Sequence, residues 1–365
     1  MRVLFSILLI ILFSIQGHAA MLPEEILEEQ ERMLGTSTLL KALPSELSSQ
    51  EQDLLNPDFP GQASRILHKA IADNQAGMHS AFACGAALLA VSLLCACLGS
   101  LEDGLSQTVL RIAGVVSITL ICVVPMNTLI GAGAGALDEV SLFMDVLLPA
   151  LAAAVTASGA PVSSSGLYLG TAFFASLLTN LISQVFLPLL YVDLACACTE
   201  QALGNQMLTR MRSLIHSGLS FCLKALLVLF SLYLSITSLI SGSADNAAVK
   251  AAKLAISGIV PVIGSVIGDA SETILVSASI LRSGIGALGL LGVLAIVLTP
   301  FVRIGIQYLV LKLFAALSGI LGAEGPTRMI DAAASAMGLL LAMIGTVGLF
   351  HLIACVCFMK AVIPA

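Results

Sequence analysis

The chain has 365 residues, a formal charge of −6, 58% hydrophobic residues and only 10% charged ones. Its mean hydropathy is +1.03. An ordinary soluble domain carries about 25% charge, so this composition excludes one and predicts an all-α, polytopic helical membrane protein. The acidity is local: residues 21–75 hold ten acids against four bases, and no basic patch for nucleic acid exists anywhere.

The N-terminus reads as a secretory signal over residues 1–19. Arg2 is the charged start, Val3–Ile15 the apolar core, and Gly17 and Ala19 the small residues of a cleavage site. The competing reading is an uncleaved first span. Residues 20–76 follow as an acidic exported segment. Leu22, Ile26, Leu27 and Leu34 fall at helical spacing among five glutamates. Pro44, Pro57 and Pro60 then suggest a turn-rich connector. The segment serves either docking or only solvation.

From residue 77 to 365 the chain reads as one membrane domain. Apolar runs near 77–99, 110–131, 166–190, 218–241, 284–300 and 336–359 each approach the ~20 residues that cross hydrocarbon. Two further stretches, about 140–160 and 254–281, contain Pro149 and Pro261 and read as discontinuous or re-entrant. Residues 192–216 and 303–323 mix charge with apolar residues, as interfacial connectors do.

The chain also matches itself. Leu129–Ala134 aligns with Leu239–Ala244, Pro149 with Pro261, Pro188 with Pro300, and Thr209-Arg210-Met211 with Thr327-Arg328-Met329. The offset grows in order from 110 to 118, as insertions would produce. This predicts a tandem repeat with units near 110–217 and 220–335. Paired broken helices in repeats are a membrane-transport architecture.

Charge in apolar sequence marks the candidate functional residues, because ionised groups at membrane depth are costly. Asp245, Lys250, Lys253, Asp269 and Glu272 concentrate in one region, and Pro261, Gly264 and Gly268 interrupt the helix between them. Lys250 and Lys253 share a helix face. They suit a charged seam against another subunit, or snorkelling toward headgroups. Asp269 with Glu272 reads as a capping box or as a cation site. Asp145, just before Pro149, is the most isolated acid; it or Asp193 could pair with Lys224 or Arg111. Glycines at 264, 268, 284, 286 and 289 permit close helix contact.

No cofactor or metal is expected. All nine cysteines lie in apolar segments. The Cys-x-Cys pairs point to nearly opposite helix faces, so one pair cannot chelate from one helix. No metalloprotease, nucleophile-elbow or phosphate-loop motif is present in the sequence. An enzyme is therefore disfavoured, and any energy must come from another subunit.

The Pro-containing segment Phe143–Pro149 and above all Ser243–Pro300 resemble the stage III sporulation protein AE family of endospore-forming bacteria. Most specific are Ala244-Asp245 through Lys253 and Val260–Gly264. The resemblance implies a multi-pass membrane subunit of the mother-cell-to-forespore channel, in the mother-cell membrane with its N-terminus on the intermembrane side. It implies as partners the lipid bilayer, a cytosolic secretion-type ATPase and ring-forming membrane proteins. The subunit would be structural, and conductive if the assembly carries solutes. The alternative is a stand-alone secondary transporter.

Overall fold

The computed structural model describes residues 59–99, 105–203, 206–259 and 264–360, with side chains for 61–98, 109–203, 207–237 and 284–360. The described residues are helical apart from short turns, and contain no strand. The order is α1 (Phe59–Asp73), α2 (Gln75–Gly99), α3 (Leu105–Ala157), α4 (Pro161–Leu181), a π-helical stretch (Ile182–Phe186), α5 (Leu187–Leu203), α6 (Gln206–Ile259), α7 (Gly264–Ile320) and α8 (Glu324–Lys360). Six helical stretches are long and apolar enough to cross a membrane: Gln75–Leu98, Val109–Ala157, Pro161–Leu203, Met207–Thr237, Gly284–Ile320 and Glu324–Lys360. They contain the six apolar runs of the sequence almost throughout, and the protein is a multi-pass membrane protein. The signal segment and the acidic helix at Leu22–Leu34 lie outside the described residues.

α8 forms the centre. It packs on α7, α3, α5, α4 and α6. Within its most apolar stretch 78% is buried, against 22–56% for the other five candidate spans. Nearly every turn of it contributes to the core, from Met329 and Ile330 to Cys355 and Phe358. Small residues let the neighbours come close. A Cβ at Gly348 would lie 2.9 Å from Val297 of α7, and one at Gly289 of α7 would lie 2.7 Å from Leu147 of α3. Gly286 meets Met359, and Gly292 meets the Phe143 ring, closer still. The expected role of Gly286 and Gly289 in close packing is met. A Cβ at Gly284 would meet nothing within 4 Å among the described residues.

Three expectations need correction. The stretch 140–160 is not broken at Pro149, because α3 runs through both Pro125 and Pro149. A proline in a helix removes one hydrogen bond, which membrane helices tolerate when packing holds the backbone. Here Phe143, Leu147 and Leu151 are fully buried around it. The break falls at Ser158–Ala160 instead. Gly159 sits at φ +86°, its N–H donates to the Thr156 carbonyl, and the Ala160 N–H reaches back to Val155. That is a Schellman end with glycine in the left-handed position. Pro161 then opens α4, where its missing N–H costs nothing.

The presumed connector before residue 76 also ends in helix α1, with Pro60 in its first turn. Asn74 ties α1 to α7 by donating to the carbonyls of Ala70 and Thr299. Finally, the mixed stretches 192–216 and 303–323 are mostly the ends of long helices. The turn from α7 to α8 uses Gly322 at φ +79°.

α3, with 53 residues, would be about 80 Å long if straight. Hydrocarbon is about 30 Å thick. The outer face of α3 changes accordingly. Val109, Val116, Leu120, Val123 and Val124 are exposed on its first half, as lipid-facing residues would be. From there to Asp145 the exposed positions are Asn127, Thr128, Gly131, Gly135, Asp138, Glu139, Leu142 and Asp145.

Candidate functional site

Two polar arrangements stand out in this apolar bundle. The first is a cavity of about 280 Å³ between α3, α4 and α8. From α3 it takes Ser141, Met144, Asp145, Leu148 and Pro149, which recur at helical spacing on one face. From α4 it takes Tyr168, Ala172, Ala175, Ser176, Thr179 and Asn180, and from α8 only His351. The opposite face of α3 is held by Phe143 and Leu147 against the glycines of α7. The bundle core thus aims Asp145 outward into the cavity.

Among the described residues, Asp145 is the only charged group in the wall. Among the described residues it has no ion pair, so neither Arg111 nor Lys224 answers it. Pro149 has no N–H, which leaves the Asp145 carbonyl without its usual helical donor. Ser141 Oγ lies 3.3 Å from Thr179 Oγ1, linking the two walls. Asn180 donates its amide to Ser176 Oγ at 3.2 Å. Immediately after Asn180 the helix loosens into the π-helical stretch; such stretches frequently occur at functional sites. His351 is 1% exposed. Its Nδ1 lies 2.8 Å from the Val347 carbonyl. A carbonyl only accepts, so Nδ1 carries the proton, and in the neutral ring Nε2 is left as an acceptor.

The second arrangement joins α5 to α6. Asp193 is fully buried. Its Oδ1 accepts from Arg212 Nε at 3.2 Å, and Oδ2 lies 3.1 Å from His216 Nε2. Arg212 also reaches Glu200 at 3.2 Å with its other arm, and Thr209 donates to Glu200 at 2.7 Å. One guanidinium therefore spans two carboxylates across a turn. The sequence marks Asp193 as an unusual acid without fixing its partner, and the partners it takes are Arg212 and His216 rather than Lys224 or Arg111. Arg111 instead donates to the Ala202 carbonyl at the end of α5, and Lys224 is exposed.

Among the ten expected site residues, the structure brings Asp145 and Pro149 into one cavity. Asp245, Lys250 and Lys253 fall on α6, and Gly264, Gly268, Asp269 and Glu272 on α7. Their side chains, and Pro261 altogether, lie outside the described residues. Tyr168, Asn180 and His351 were missed, because each is unremarkable in its own helix and converges only through packing. No cluster of His, Cys, Asp and Glu able to hold a metal occurs among the described residues.

A sequence model described as stage III sporulation protein AE matches residues 49–361, which includes every described helix. The chain belongs to the stage III sporulation protein AE family. A curated relative from Bacillus subtilis (strain 168), named stage III sporulation protein AE, is 23% identical over 242 residues. That match covers 64% of this chain and 60% of the relative, so the chain spans less than two thirds of the relative's length. No solved structure matches. Family membership gives this chain a sporulation-related role. The resemblance read from Phe143–Pro149 and Ser243–Pro300 was sound.

Proposed function

We propose that this chain is an integral membrane subunit of the apparatus linking mother cell and forespore, seated in the mother-cell membrane. It works beside a cytosolic secretion-type ATPase and ring-forming membrane proteins. The observation that carries this reading is the family match across residues 49–361. The outer face of α3 supports it. From Asn127 to Asp145 that face is too polar for lipid, and suits contact with water or another subunit. Lys250, Lys253, Asp269 and Glu272 serve the same assembly as a charged seam.

The test is complementation of an endospore former that lacks its own copy, followed by purification of the tagged chain from sporulating membranes. The ATPase and ring-forming proteins are expected to co-purify. Lys250→Glu together with Lys253→Glu should abolish spores while membrane levels stay near normal. Normal spore counts with both lysines reversed would sink the seam. Purification of the chain alone, with full complementation, would sink the subunit reading. The cavity at Asp145 favours a second reading, a stand-alone transporter. Solute uptake into vesicles containing only this chain would establish that reading instead.

A further inference from the structure

We infer that the cavity between α3, α4 and α8 is a binding site for a small monovalent cation, taken up with part of its water. The inference does not depend on the sporulation reading, because it concerns only the chemistry of the cavity wall.

The wall offers one negative charge and several neutral acceptors. The Asp145 carboxylate is exposed, lines the cavity and has no partner among the described residues. Pro149 leaves the Asp145 carbonyl free beside it. Carbonyls without a helical donor coordinate sodium or protons where transporter helices unwind, and the continuous α3 offers one such carbonyl here. Asn180 spends its amide nitrogen on Ser176, which leaves its Oδ1 to accept. Thr179 and Ser141 add hydroxyl oxygens. His351 contributes Nε2, because its Nδ1–H is committed to Val347.

This donor set selects the ligand. An anion meets only the Asp145 charge and no cation. A divalent ion of the calcium type prefers several carboxylates, and the wall has one. One carboxylate with neutral oxygens balances one positive charge. The volume, about 280 Å³, matches roughly nine waters at about 30 Å³ each. That is too roomy for a bare ion and enough for a partly hydrated one.

The experiment uses the full chain, purified in detergent. Its melting temperature is followed against NaCl and KCl, with N-methyl-D-glucamine chloride keeping ionic strength constant. Equilibrium dialysis with radioactive sodium counts the sites. A saturable upward shift with sodium or potassium, absent with N-methyl-D-glucamine, is expected, at one site per chain. Asp145→Asn should raise the half-saturating concentration about tenfold or more, as loss of a charged contact does. Pro149→Ala, which returns an N–H to the Asp145 carbonyl, should weaken binding too. Asp331→Asn, which touches only the exposed Lys312 pair, should leave binding unchanged. If Asp145→Asn does not fold, Ser141→Ala with Thr179→Val makes the same test. Equal responses to all three salts, or an unaltered response in the cavity variants, would overturn the site.

Discussion

Arg212 holds two carboxylates at once, and Asp193, the deeper one, has no access to water. Removing one partner from a buried pair costs about 3–5 kcal/mol, because the remaining charge stays buried. Arg212→Gln should therefore sharply reduce protein in the membrane and lower its melting temperature. Adding Asp193→Asn should recover part of the loss, and a double-mutant cycle by thermal melting measures the coupling. Thr171 makes the opposite case. It is fully buried and its hydroxyl has no partner among the described residues. Thr171→Val keeps the shape and removes that hydroxyl, so its melting temperature should stay level or rise. Gly170, beside it, lies against the Tyr233 ring, which donates to the Gly166 carbonyl. Gly170→Ala should push that ring away and destabilise the α4–α6 contact by about 1–3 kcal/mol. Asp193 was legible as an anomaly because an acid in an apolar run is costly. Its partners were not, because Arg212 is 19 residues away and meets it only once the turn folds the helices together.

At the scale of elements, six apolar runs announced six spans, since the need to cross hydrocarbon writes itself into composition. The course of α3 was harder to read. Pro149 looked like a break, and the break lies at Ser158-Gly159-Ala160-Pro161, a glycine end followed by a proline start. Both signals stood in the sequence. Pro149 drew more weight because a lone proline is conspicuous, whereas the α7 glycines that seat the neighbouring Phe143 and Leu147 are more than 130 residues away. Gly159→Val should strain the turn, since a branched residue in the left-handed region costs at least 1–2 kcal/mol. Thermal melting should show that loss, while Gly131→Ala, at a position with nothing within 4 Å, should show none. The cavity was half legible: Asp145 and Pro149 were visible as residues, but the wall on α4 and α8 exists only in three dimensions.

For the whole molecule, the self-matching of the sequence has a structural echo. Thr209 bonds back nine residues to Glu200 across the α5–α6 turn. Thr327 does the same to Ser318 across the α7–α8 turn, at 2.9 Å. These are positions that the sequence self-match aligns. If all six stretches cross, α1 and the end of α8 share one side of the membrane. Reporter fusions after Asp73 and after Lys360 should report the same compartment, and opposite compartments would show that one stretch does not cross. The central position of α8 has a consequence for biosynthesis. The helix around which the others pack leaves the ribosome after them. Until residue 324 is exceeded, α2 to α7 sit in the membrane with the faces that meet α8, including Gly286 of α7 and Gly133 of α3, unfilled. Assembly of the bundle is thus post-translational in effect, and a chain stopped before Glu324 should be a substrate for membrane proteases rather than a shorter working subunit.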